Sequence, residues 1–392
     1  MSGDLDKSAL VPKLRFPAFR GAEGWSRKRL KDACEVNPSS SMLPEMFVYI
    51  DLESVEAGKL TARKVIARDD APSRAQRLLH PYDVIFQIVR PYQRNNFHFK
   101  ASDGLEYVAS TGYAQLRAKD STDFLYQAVH VDGFVDRVIA KCTGSSYPAI
   151  NSSDLAEVPL ALPKPDEQQK IADCLSSLDE LIAAQARKVD ALKTHKKGLM
   201  QQLFPREGET QPRLRFLEFG EQWIKTKLED LCSSVSSGRD QIDSDGAFDL
   251  YGSTSVIGKT KKASFACERI LVARVGANAG MLTKAKGVFG VTDNTLVVSP
   301  NPSINIDFLF HYLGNININK LIFGSGQPLI TGSIIKNLPI LVPGDAEQLR
   351  VATCIGSLDE LIATQDFELE ACKAHKIGLI QQLFPATPEG EA

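Results

Sequence analysis

Between residues 166 and 203 apolar side chains recur at Ile171, Leu175, Leu178, Ile182, Val189, Leu192, Leu199 and Leu203. The seam steps alternate between four and three, the heptad spacing of one helix face. Gln185 and Lys196 are its two polar members. A second run has the same form, with Val351, Ile355, Leu358, Ile362, Leu369, Cys372, Leu379 and Leu383, and with Gln365 and Lys376 as the polar members. Pro163 and Pro165 precede the first run and Pro205 ends it; Pro343 and Pro385 bracket the second. Proline cannot continue a helix interior, so these positions are natural limits. Each run predicts a helix about 57 Å long at ~1.5 Å per residue. Matching seams favour pairing of the two helices with each other. Pairing is expected to be antiparallel, because the chain crosses a whole domain between them. Packing of each helix on its own domain is the alternative. The matched polar positions would set the register.

The runs belong to an internal repeat. Shifting the chain by 180 residues aligns Gly144–Pro205 with Gly324–Pro385 without a gap, and 30 of the 62 positions are identical. The copies open with GSSYPAI and GSGQPLI, share SLDELIA, and close with HKKGLMQQLFP and HKIGLIQQLFP. The seam alone accounts for SLDELIA, and no chemistry is assigned to it. A second match links Pro12–Cys34 with Pro212–Cys232, placing Trp25 with Trp223 and Leu30 with Leu228. Because PRLRF directly follows the first helix, the chain beyond the second helix is expected to lead back toward PKLRF at residue 12. The arrangement reads as circular, with the termini close together.

Between the matched blocks, stretches 35–143 and 233–323 show no resemblance to each other. Both mix short β-like runs, such as FVYIDL, DVIFQIVR, RILVARVG and NTLVVSP, with Gly, Asn and Asp turns. The expected class is α+β. The expected division is 1–163 for an N-terminal segment and first body, 164–205 for the first helix, 206–343 for a linker and second body, and 344–392 for the second helix and tail. The order suggests a frame carrying two different readers.

Composition adds little until charge is localised. The apolar fraction is 43% and the formal net charge −2, ordinary for a globular chain. No apolar run approaches the roughly 18 residues that span a bilayer. The N-terminal residues lack a signal pattern, so a cytoplasmic protein is expected. The seven cysteines form no CxxC pair and no zinc spacing, which suits reduced thiols acting as small apolar residues. Yet from Lys59 to Lys100 there are nine Lys/Arg against three Asp, and from Ser255 to Gly290 seven against one Glu. Two basic stretches on separate bodies suit phosphate contacts along a duplex; a solvated charged face would look the same.

Gln87, Arg90, Gln93 and Arg94 in FQIVRPYQRNN, and Arg274 and Asn278 in ARVGANAG, have the side chains that pair with guanine or adenine edges. The glycines beside Arg274 would let backbone approach closely. Lys259, Lys261 and Lys262 suit phosphates. Lys100, Lys284, Ser253 and Thr254 complete the DNA-binding candidates, together with Ser145 and Ser146 on the first pre-helix loop and Ser325 and Gln327 on the second. GSTSVIGKT has five residues between its first Gly and Gly-Lys where a P-loop needs four. No HExxH, GxSxG or GxGxxG context is present, and NPSS at Asn37–Ser40 is not the NPP[YF] loop of amino-methyltransferases. His195 and His375 lie among lysines, as solvent-facing residues would. No catalytic residue and no metal site is assigned.

With these residues laid out, the chain resembles the specificity subunit of type I restriction–modification systems. The marks are Pro163-x3-Glu167-Gln168 and Pro343-x3-Glu347-Gln348, the SLDELI pair, the GL(M/I)QQLFP ends, the two pre-helix loops, and LYGSTSVIG with VARVGANAG in the second body. The second entry departs with EQLRVA for the usual EQxxIA. The resemblance implies two target-recognition domains, each reading half of an asymmetric, split duplex target. It implies helices that set the gap and dock two modification subunits. S-adenosylmethionine for adenine methylation, and ATP and Mg with restriction subunits, would belong to those partners. This chain would catalyse nothing. A free-standing coiled-coil DNA-binding protein is the alternative.

Overall fold

The computed structural model describes residues 10–39, 42–100, 103–316, 318–321 and 329–386. The two seams form helices Pro165–Leu203 and Asp345–Leu383. Acidic residues stand in the first turn of both, where the helix dipole favours them. Two compact units emerge, Met1–Ala184 with Leu369–Ala392, and Gln185–Glu368. This division cuts across the linear one, because each unit takes one half of each long helix.

Inside each unit the half-helices run antiparallel. In the second, Gln185 Nε2 donates to Gln365 Oε1 at 2.9 Å, Lys193 meets Asp366 at 3.0 Å, and Lys196 pairs with Asp359. In the first, Lys376 Nζ donates to both oxygens of Asp179, at 2.6 and 2.8 Å. Thus the polar seam members are all partnered across the helix pair. SLDELIA therefore does more than fill a seam, correcting the expectation above. Its aspartate, Asp179 or Asp359, receives the lysine of the opposite copy's HKxGL.

The bodies are unlike in sequence and alike in topology. In the first unit Cys34–Val36, Tyr113–Ala118, Val84–Gln87 and Phe97–His98 form an antiparallel sheet in that order. In the second, Cys232–Ser237, Thr295–Pro300, Arg269–Ala273 and Leu282–Ala285 follow the same order. A second sheet in each has a parallel pair, Met46–Ile50 with Tyr107–Ser110 and Phe248–Tyr251 with Phe289–Val291. An antiparallel strand flanks each pair, Lys64–Ala67 and Val256–Thr260. The first unit adds Ala75–Leu78 beside Tyr107–Ser110. The four β-like runs are thus strands of an α+β fold.

The repeated motifs tie each body to the helices. Arg15 Nε and Nη2 donate to the two oxygens of Glu167, both at 2.7 Å, and Arg215 does the same to Glu347 at 2.7 and 2.7 Å. This bidentate geometry joins PxLRF to the EQ helix entry. Gln168 and Gln348 donate to Pro163 O and Pro343 O at 3.0 and 3.1 Å. Entry strand Ser26–Arg29 pairs antiparallel with Pro159–Leu162, and Ile224–Lys227 with Pro339–Val342. Trp25 packs edge-on against Phe384 at 5.7 Å, and Phe384 stacks on Phe124 at 5.5 Å. Phe204 and Trp223 each meet Phe308 edge-on at 5.7 Å. Buried aromatic rings thereby close the LFP helix ends. Leu14 N–H donates to Gln382 O at 2.9 Å, matching Leu214 N–H to Gln202 O at 3.0 Å. The chain beyond the second helix thus meets PKLRF, as expected, while the two chain ends, expected to be close together, lie outside the described residues.

Candidate nucleic-acid interface

In the first unit, strand Val84–Gln87 leads into the loop that carries the sequence candidates. Val89 bridges to Ala149, and Arg90 N–H donates to Pro148 O at 2.7 Å. These contacts fasten RPYQRNN to GSSYPAI. Arg90 and Arg94 both adopt left-handed backbone, each at φ 54°, a costly conformation for a branched loop of non-glycine residues. The Arg90 guanidinium lies 4.2 Å from the Tyr147 ring centroid. Tyr147 is 65% exposed, with exposed Ser145 and Ser146 beside it. A cation stacked on an exposed ring is a surface that can meet phosphates or the base edges of a groove. Sequence reading passed over Tyr147, although it stands within the quoted loop.

Gln87 is 1% exposed and does not face solvent. Its amide donates to Gln93 Oε1 at 2.8 Å and accepts from Asn95 N–H at 3.1 Å. It organises the loop from within. Arg94 donates to His130 O and pairs with Asp132 at 2.7 Å.

In the second unit the matching loop follows strand Arg269–Ala273. Val275 bridges to Leu329, and Arg274 O accepts from Ile330 N–H at 2.8 Å. The bridges align Val89 with Val275, so Arg90 corresponds to Gly276 rather than to Arg274. Gly276 has φ 75°, the same left-handed turn. Gly280, at φ 90°, would put a Cβ 2.4 Å from Asn319 Oδ1. That glycine serves internal packing, a different role from the expected backbone approach to DNA. Arg274 Nη1 donates to Asp293 O at 3.3 Å, while its buried Nε has no partner among the described residues. Arg274 and Lys336 line one cleft of about 400 Å³ with Ser236, Ser237 and Ser333. Lys336 was not singled out from sequence, since it lies outside the basic stretch. Asn278 is exposed.

The basic stretches are less basic in space than along the chain. Lys259 stands opposite Asp249 in the strand register and donates to it at 2.7 Å. Lys261 meets Asp243 at 3.0 Å. Both aspartates fall just outside the window counted in sequence. Lys100 donates to Asp123 at 2.6 Å, and Lys284 pairs with Asp307 beneath Phe310. These two lysines hold equivalent helix N-termini in the two units. Lys59, Lys64, Arg74, Lys262 and Lys286 carry no ion pair among the described residues. Burial pulls the Arg77 guanidinium below its usual range. Ser253 and Thr254 sit in the turn between Phe248–Tyr251 and Val256–Thr260, so GSTSVIGKT is a hairpin without the helix of a P-loop. Ser325 and Gln327 lie outside the described residues. Among the described residues no His/Cys/Asp/Glu group is arranged to hold a metal, and no helix is long and apolar enough to cross a membrane.

The family model described as "Type I restriction modification DNA specificity domain" matches residues 66–194 and 220–371. The type I restriction enzyme EcoprrI specificity subunit of Escherichia coli is 32% identical over 114 residues, covering 29% of this chain and 28% of that protein. The MjaVIII specificity subunit of Methanocaldococcus jannaschii is 24% identical over 276 residues, covering 62% of this chain and 64% of its own. The matches therefore span less than two thirds of these relatives. The solved type I restriction–modification S subunit from M. genitalium superposes with a TM-score of 0.64 at 16% identity, covering 97% of this chain and all of that one. A chain from a type I assembly structure gives 0.58 at 21% identity, over 93% of this chain and 98% of that one. At these identities the likeness is one of fold.

Proposed function

From the premise that this chain belongs to the type I restriction–modification DNA specificity family, we propose that it is the DNA-reading, non-catalytic subunit of such a system in the cytoplasm. The observation that carries the reading is one topology built twice from unlike sequences. Two bodies of one shape with different surface loops suit a target of two unlike halves. Arg90 with Tyr147, and Arg274 with Asn278, are the proposed readers; Lys262 and Lys336 are proposed phosphate contacts. The helix pair would hold the two readers at a fixed separation and present docking faces to two modification subunits. S-adenosylmethionine would be held by those subunits for adenine methylation. Restriction subunits would contribute ATP- and Mg-dependent cleavage. This chain's own share is to bind and orient the duplex.

The test is a methylome. A modification subunit encoded beside this chain is expressed with and without it, and native DNA is sequenced for methyladenine. A split motif that depends on this chain is expected, and it would report both half-sites. A soluble complex that methylates nothing new would overturn the proposal in favour of a free-standing binder.

A further inference from the structure

Each body has a helix with the same cap. Phe124 N–H donates to Ser121 Oγ at 3.3 Å, and Phe308 N–H to Asn305 Oδ1 at 2.9 Å. Aligning the caps places Asp123 with Asp307, Phe124 with Phe308, Gln127 with His311 and Ala128 with Tyr312. The contacts agree. Lys100 and Lys284 meet the two aspartates. Gln127 donates to Asp179 at 2.8 Å, and His311 stands 3.8 Å from Asp359.

Ala128 and Tyr312 are the informative difference. The Tyr312 ring packs edge-on against Phe204 at 5.3 Å, and its hydroxyl accepts from Leu341 N–H at 3.0 Å. By the 180-residue repeat, Phe384 and Ala161 are the counterparts of Phe204 and Leu341. Ala128, Ala161 and Phe384 all line one cavity of about 390 Å³ in the first unit. Where the second unit carries a phenol, the first carries only the methyl group of Ala128, itself 0% exposed, in the wall of this cavity. An apolar cavity of roughly 150 Å³ is already enough to hold a benzene ring.

We propose that this cavity receives one hydroxylated aromatic ring, a tyrosine side chain of a modification subunit. The identity of the donor rests on the function proposed above; the cavity does not. The incoming ring lies against Phe384, and its hydroxyl takes the position that Tyr312 Oη holds in the second unit, beside Ala161 N–H. The mouth favours a covering protein. Ile377 lines it and is 59% exposed, where the first helix has the exposed Lys197. Arg27 and Arg137 also line the cavity, and Arg137 Nε donates to Pro159 O at 3.3 Å. Residues 1–9 and 387–392 contain no aromatic side chain, so these end stretches cannot supply the ring.

The probe is p-cresol, the tyrosine side chain without its backbone, titrated into the full chain and followed by ligand-observed NMR. The wild type should bind one molecule. Ala128→Tyr should bind none, because the new side chain fills the space. Tyr312→Ala should bind two, because it opens the matching space in the second unit. In assembly with the modification subunit, Ala128→Tyr should weaken association by about tenfold or more, as loss of a buried aromatic anchor does. Absence of binding to the wild type at millimolar cresol, or undiminished binding to Ala128→Tyr, would overturn the cavity as a receptor. Cresol binding with unaltered assembly, or a cresol-sensitive dimer of this chain, would overturn the tyrosine donor. Should the wild type itself fail to assemble, the proposed function falls while the cresol titration still decides the cavity.

Discussion

Leu14 N–H hydrogen-bonds Gln382 O, as Leu214 N–H hydrogen-bonds Gln202 O. Both contacts lie at a helix end, but only the second follows its helix directly along the chain. The backbone therefore passes from the second helix back to the first PxLRF with no covalent link. Joining residue 392 to residue 1 and opening the chain at 206–211 should give a folded protein. Its melting temperature should stay within roughly 4 °C of the parent, the shift that ~1 kcal/mol produces in a unit of this size. A permuted chain that lacks a cooperative melt would contradict the equivalence of the two junctions.

Arg15 and Glu167 are 9% and 2% exposed, and the guanidinium also donates to Ala22 O and Glu23 O at 2.8 and 2.8 Å. Removing one member of a buried, hydrogen-bonded pair leaves the other uncompensated. Glu167→Ala should cost about 3–5 kcal/mol in chemical denaturation of the first unit. Glu347→Ala should do the same to the second. A loss below ~1 kcal/mol in both would mean that water replaces the carboxylate.

His311 is buried and its pKa is pushed down to about 4, first by burial and then by the Lys196 and Lys284 cations, against the pull of Asp359 and Asp307. The neutral imidazole is thus the form the fold prefers. Between pH 6.5 and pH 4 the unfolded chain takes up a proton there and the folded chain does not. Stability should be full above pH 6.5 and fall as the pH drops toward 4. His311→Gln imitates Gln127, which already hydrogen-bonds Asp179 in the first unit. That variant should show a shallower acid-side loss in urea melts at a series of pH values. An unchanged slope would assign the acid sensitivity elsewhere, His130 being the next group, also pushed down to about 4 by burial.

Four residues inserted at matched places in both long helices add ~6 Å of helix. Under the proposed function the unread spacer should lengthen by about one or two base pairs at 3.4 Å each. Methyladenine mapping would show the new spacing. Altered half-sites with the spacer unchanged would count against the helices as a ruler.

The frame was legible in the sequence because it is written twice. Heptad steps placed every seam residue, and each of Ile171, Leu175, Val189, Val351, Ile355, Ile362 and Leu369 is buried. Shared topology of the bodies was not legible. Strand pairing tolerates almost any side chain of suitable polarity, so Val84–Gln87 and Arg269–Ala273 occupy one place with little in common. The DFL triplets at 123–125 and 307–309 were the available signal, hidden by an offset of 184 where the frame repeats at 180. The reader residues were legible only in part. A linear count of cations could not foresee that a hairpin sets Asp249 against Lys259. Side-chain type alone could not tell the exposed Asn278 from the buried Gln87.

The way the two units share the helices bears on how the chain comes into being. Residues 185–368 form the second unit as one uninterrupted stretch. The first unit waits for residues 369 onward, since Leu383 and Phe384 belong to its core beside Trp25, Phe124 and Leu175. During synthesis the segment made first is therefore completed last, across the greatest sequence separation in the molecule. Such long-range closure is slow, and it leaves apolar surface open meanwhile. The nascent N-terminal body stays exposed to chaperones and proteases until the final turns of the second helix leave the ribosome.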